Sequence, residues 1–210
     1  PRLEALKQKI LEETLDATVA TDVSTVPWVG QCDLIVTATS AFGQRVLDVS
    51  QCKPGAVILD VALPPDISAE EAELRPDVLV VESGEVLIPG PVNFSFNIGL
   101  PQGVAYACLA EAALLAMEER FECFTLGRDV PPARVKEIYR LFRRHRFEIA
   151  PLRTFGELLT DAMIAEKRAR AEELLRDPKL LKRVKAEAAA KMAKIPPRAK
   201  GVAGVTTLKG

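Results

Sequence analysis

Histidine is almost missing: His145 is the single one, and none of the four cysteines forms a CxxC pair. That combination argues against a zinc site, which needs clustered nitrogen and sulfur ligands. No stretch approaches the ~18 consecutive apolar residues that a membrane helix requires. The chain opens on Pro1-Arg2-Leu3-Glu4, without Met and without a signal peptide. This reads as a fragment of something longer. Net charge is close to absent too, at -1. Charge is unevenly spread, however: from Arg176 onward ten Lys/Arg stand against two Asp/Glu. That basic stretch has no aromatic residue on which a base would stack, so nucleic acid is not expected as a partner. Cys32, Cys52, Cys108 and Cys123 suit a reducing cytoplasm better than a disulfide framework.

What is present is a set of continuous aliphatic runs. DLIVTATS (33–40), AVILDVAL (56–63) and DVLVVESG (77–84) are β-branched and bounded by Gly and Pro. Such runs belong to parallel strands covered on both faces. ATVATD (17–22) is a further short-strand candidate. Helical spacing marks 3–14 and GQRVLDVSQC (43–52), and Ser68 reads as the N-cap of a helix with an acidic first turn. Strands alternating with short helices imply βαβ units. The predicted fold class is α/β: an incomplete doubly wound, Rossmann-like parallel sheet followed by an all-helical C-terminal region. No GxGxxG follows a strand, so the phosphate-binding loop is expected upstream of Pro1.

From Pro89 the chain is a Gly/Pro/Asn-rich loop, and Pro101 is placed as the first residue of a long buried helix through VAYACLAEAALLAMEERF. Further helices are expected over 132–146, 155–175 and from Pro178 to about Lys194, with a disordered end. The division is therefore 1–100, a partial dinucleotide-binding domain; 101–175, a helical region; and 176–210, a basic helical or disordered tail.

Three segments carry a resemblance. LIVTATSA and VILDVALPPDIS resemble the strand-and-loop elements of NADP domains in glutamyl-tRNA reductases and their relatives. YACLAEAALLAMEERFECFTLGRD, continuing to RRHRFEIAPL, resembles the end of long-chain acyl-[acyl-carrier-protein] reductases. The shared positions are Ala107, Cys108, Ala110, Glu111, Ala112, Leu114, Leu115, Gly127, Arg128, His145, Phe147, Pro151 and Leu152, over roughly residues 1–152. Arg146 stands where that family has Gly, and the residues from Arg153 on have no counterpart. The resemblance implies NADPH-dependent reduction of an acyl thioester, from acyl carrier protein or acyl-CoA, to a fatty aldehyde. It assigns Cys108 as the acyl-accepting nucleophile.

On that reading Cys108 lies about two turns into its helix, with Glu111 three residues on along the same face. His145 is the one side chain whose ordinary titration falls near pH 7. Packing roles compete with each: a small core residue for Cys108, a structural carboxylate for Glu111, a solvated basic run for His145. Thr37, Ala38 and Thr39 end the first strong strand; Asp60, Val61 and Ala62 end the second; Gly84 follows the third. Ligands of doubly wound sheets sit at such carboxyl ends, so these seven are the cofactor-binding candidates. The cations of 134–146 suit an acidic carrier protein. The alternatives are another NADP enzyme of the glutamyl-tRNA reductase or shikimate dehydrogenase branch, and a non-catalytic dinucleotide-fold binding domain.

Overall fold

The computed structural model describes residues 2–14, 16–40, 44–127 and 130–197. Its centre is a sheet in the order β1-β2-β3-β7-β8. The three parallel members are β1 (Leu34–Thr37), β2 (Val57–Asp60) and β3 (Leu79–Glu82), in register Thr37–Asp60–Glu82 at their carboxyl ends. They form where the β-branched runs are densest, because branched side chains pack well on a pleated surface. The short antiparallel strands β7 (Arg153–Thr154) and β8 (Glu157–Leu158) complete it through a Glu82–Arg153 pairing. Ile58, Val80, Val49, Cys52, Val78 and Ile67 form the main core. Each fully buried aliphatic side chain there contributes about 1.5–3 kcal/mol.

The helices obey their end signals. α1 spans Arg2–Glu13, and α2 (Ala69–Glu73) begins at Ser68 with a reciprocal capping box to Glu71. α5 (Asp161–Arg176) is capped by the Thr160 hydroxyl. Asp177 caps α6 (Pro178–Met192), which starts on a proline that needs no N–H donor there. α6 buries Ala188 and Met192, and Met192 joins the main core.

The C-terminal half is not all helical. A second, antiparallel sheet runs β5-β4-β6 through Val104–Tyr106, Glu85–Leu87 and Glu148–Ile149. Against it pack α3 (Ala107–Met117) and α4 (Pro132–Arg144), around Ala110, Leu114, Leu141 and Phe147. The expected helix from Pro101 is thus shorter: Val104, Ala105 and Tyr106 pair with Leu87, Val86 and Glu85 instead of coiling. Nor is α3 buried all round, since Met117 is exposed and Leu109 partly so. The helix expected from Phe155 starts at Asp161, because 153–158 turn as the β7–β8 hairpin. Of the helix expected over 43–52, the described part holds a single 3₁₀ turn, Val49–Gln51, and residues 17–22 form no strand. The disorder expected at the end concerns residues that lie mostly outside those described.

Candidate functional site

The carboxyl ends of the parallel strands are tied together by two aspartates. Asp60 is buried and accepts from Thr37 Oγ1 (3.0 Å), Ala62 N (3.1 Å) and Ile67 N (2.9 Å). Asp66, at the turn after β2, accepts from Thr39 N (3.0 Å) and Thr39 Oγ1 (2.6 Å). The backbone amides of Thr39, Ala62 and Ile67 are thus bonded to protein carboxylates. Thr37 is buried, Ala38 and Thr39 are exposed, Val61 is partly exposed and Ala62 half-buried. Val61 N donates to Thr37 O at 2.8 Å, which fixes the two loops to each other.

Gly84 follows β3 at φ 87°, a conformation that costs glycine nothing. A Cβ built on it meets nothing within 4 Å, so space is open there. Its carbonyl accepts from Ala107 N at 2.7 Å. That bond brings the start of α3 to the end of β3. Cys108 is therefore the second residue of its helix, not two turns in, and it is exposed. The N-terminal turn of a helix favours negative charge through its unpaired N–H groups.

Three further groups share this corner. Glu85 and Tyr106 are direct register partners of β4 and β5, which places their Cβ atoms about 5 Å apart. Burial raises the Glu85 carboxyl above its ordinary value, with Glu82 adding to the rise and Arg153 opposing it. Burial also raises the Tyr106 phenol, reinforced by the charges of Glu85, Glu82 and Cys108. Sequence reading passed over Glu85, Tyr106 and Arg153. The one available signal was a carboxylate directly after Gly84; the phenol and guanidinium arrive through pairings distant in sequence.

The other two catalytic candidates lie elsewhere. His145 caps the end of α4 and its Nε2 meets Glu118 Oε1 at 2.5 Å. Glu118 is the C-cap of α3, so His145 sits about 15 Å along that helix from Cys108. The hydrogen bond with His145 is the main reason the Glu118 carboxyl lies below its usual value. Glu111 is half-buried and accepts from the Thr125 hydroxyl. Cys52 is buried at the opposite side of the main core, and burial pushes its thiol up to about 11. Among the described residues no group of His, Cys, Asp and Glu is arranged to hold a metal ion, and no helix is long and apolar enough to cross a membrane.

No family model matches the chain. Aminotransferase PigE of Serratia sp. (strain ATCC 39006) is 39% identical over 130 residues, or 60% of this chain. The chain spans about 15% of that relative's length. The relative is an enzyme named for amino-group transfer. This corrects the expected function: NADPH-dependent reduction of acyl thioesters to fatty aldehydes is withdrawn, and NADPH with it as the cofactor. The two alternatives, a glutamyl-tRNA reductase or shikimate dehydrogenase type of enzyme and a dinucleotide-fold binding domain, do not match either.

Proposed function

We propose that this chain works within a larger transaminase-type enzyme, as the part that meets the carbonyl partner of amino-group transfer rather than the part that binds the coenzyme. The observation carrying this is the exposed thiol of Cys108 in the first turn of α3, inside a chain similar to part of an aminotransferase.

Amino-group transfer is pyridoxal phosphate chemistry, which needs a lysine to hold the aldehyde and amides or cations to hold the phosphate. The described residues do not fit that group. The loops after β1, β2 and β3 (38–48, 61–68 and 83–84) contain no lysine. Two half-buried lysines lie at the amino ends of the strands. Lys167 Nζ donates to Val78 O at 3.1 Å, and Lys185 Nζ donates to Gln51 O at 2.9 Å. Burial lowers both ammonium groups, but each is committed to a backbone carbonyl. Around the open corner the charges are mainly carboxylates, which repel a phosphate.

A thiol adds reversibly to an aldehyde or ketone, and that is the chemistry assigned here to Cys108. The test uses two measurements on the purified chain. First, stoichiometric pyridoxal phosphate is added, reduced with borohydride and mapped by mass spectrometry. No lysine should be modified above the level of the general surface lysines; one stoichiometric site overturns the division of labour. Second, hexanal is added before iodoacetamide, with the exposed Cys123 as internal reference. Hexanal should shield Cys108 and leave Cys123 alkylated; equal alkylation of the two removes Cys108 from the reading.

A further inference from the structure

We propose that the apolar cavity beside β1 binds a small primary amine, with its hydrocarbon body on the core residues and its ammonium on the Asp22 carboxylate. The inference is independent of the carbonyl reading above, since no residue lining this cavity belongs to the Gly84 corner.

The cavity holds about 300 Å³. That is the lower end of the range for ligand pockets, so its occupant is small. Val29 and Leu47 belong to the main core and Ile35 packs against it, so the core itself is the floor. The indole of Trp28 and the half-buried Cys32 add to the apolar lining. The turn that carries the indole is held in place. Trp28 N and Val29 N both donate to Thr25 O at 3.0 Å, and Thr25 Oγ1 donates to Val46 O at 3.3 Å. That last bond ties the turn to the residue just before Leu47.

Asp22 is the one charged residue of the lining. Its Oδ2 accepts from Trp28 Nε1 and its Oδ1 from Ser24 N, both at 3.0 Å. These N–H groups, the indole foremost, hold the carboxyl below its ordinary value, so it is ionised at neutral pH. Among the described residues no Lys, Arg or His forms an ion pair with it. A carboxylate has about four acceptor positions, so both oxygens can take a further donor. The cavity therefore joins an apolar floor to a fixed negative charge that lacks a counter-charge. A neutral apolar ligand would use the floor alone, and an anionic one would be repelled. An ammonium on a short hydrocarbon body uses both, through a charge-assisted hydrogen bond.

The experiment titrates the isotope-labelled chain at neutral pH with hexylamine, hexanol and hexanoate, which share one body and differ in head-group charge. The readout is the shift of the single indole N–H resonance, together with the amide of Val29. Hexylamine should shift both saturably, hexanol should bind about fivefold more weakly, and hexanoate more weakly still. In Asp22→Asn, whose backbone spectrum shows whether it is folded, hexylamine should fall to the affinity of hexanol. Hexanol binding as tightly as hexylamine to the unaltered chain overturns the inference without recourse to any variant. So does hexylamine affinity that survives in a folded Asp22→Asn. The lack of a saturable shift with hexylamine overturns the cavity as an amine site.

Discussion

Arg75 is held inside the core by four hydrogen bonds. It is fully buried, pairs through Nε and Nη2 with both oxygens of Asp77 at 2.8 and 2.6 Å, and donates through Nη1 to Ser50 O and Cys52 O. One guanidinium thereby satisfies four acceptors at the amino ends of β2 and β3. Arg75→Met should cost about 3–5 kcal/mol, because it leaves the Asp77 charge buried without a partner. Urea denaturation measures this, and adding Asp77→Leu should recover part of the loss by removing that charge. Nothing local in the sequence marked this pair, since RPD reads as a surface turn. Cys108 was legible, but its setting was not: Pro101 suits a helix start, and only the pairing of 104–106 with 85–87 shows where the helix begins. His145 was singled out by its titration range, yet it serves as the end of α4 against Glu118.

Many elements built from local pattern were read correctly, although 17–22 form no strand and the described part of 43–52 holds only a 3₁₀ turn. β1, β2 and β3 lie inside the predicted aliphatic runs, α2 starts at the predicted Ser68, and α4 matches its predicted span to within two residues. Elements that exist only through distant partners escaped. β6, β7 and β8 have two residues each, too short for any period to show. β1 carries a consequence of its own. It pairs with β2 on one side and with no strand on the other among the described residues. Leu34 and Val36 are 60% and 57% exposed, unusual for a parallel strand. An open apolar edge is a template for further pairing. The isolated chain should therefore self-associate at high concentration, and Val36→Lys should suppress this, as sedimentation velocity would show. A chain that stays monomeric at all concentrations, with Val36 in place, counters that expectation.

At the scale of the whole chain, the basic C-terminal helices act as a brace across the amino ends of the strands. Lys167 and Lys185 reach backbone carbonyls there, Arg45 Nη2 donates to Ile195 O at 2.7 Å, and a Cβ on Gly55 would stand 3.2 Å from Ala171. Met192 and Ile195, from the basic run, pack in and against the main core. A chain ended at residue 159 should lose its single cooperative thermal transition, because it exposes Val49, Cys52 and Ile58. An unchanged melting profile by calorimetry would show the brace to be dispensable. Composition marked only a basic helical or disordered tail; that Lys185 serves as a hydrogen-bond donor to a backbone carbonyl was not legible in it.

Trp28, the chain's single tryptophan, donates its indole N–H to Asp22 at 3.0 Å. It also lines, with Ala20, Val29, Ile35 and Leu47, an apolar cavity of about 300 Å³ beside β1. The molecule thus carries one optical probe, placed against one strand. Its emission colour reports how wet that margin is, without a second indole elsewhere to blur the signal.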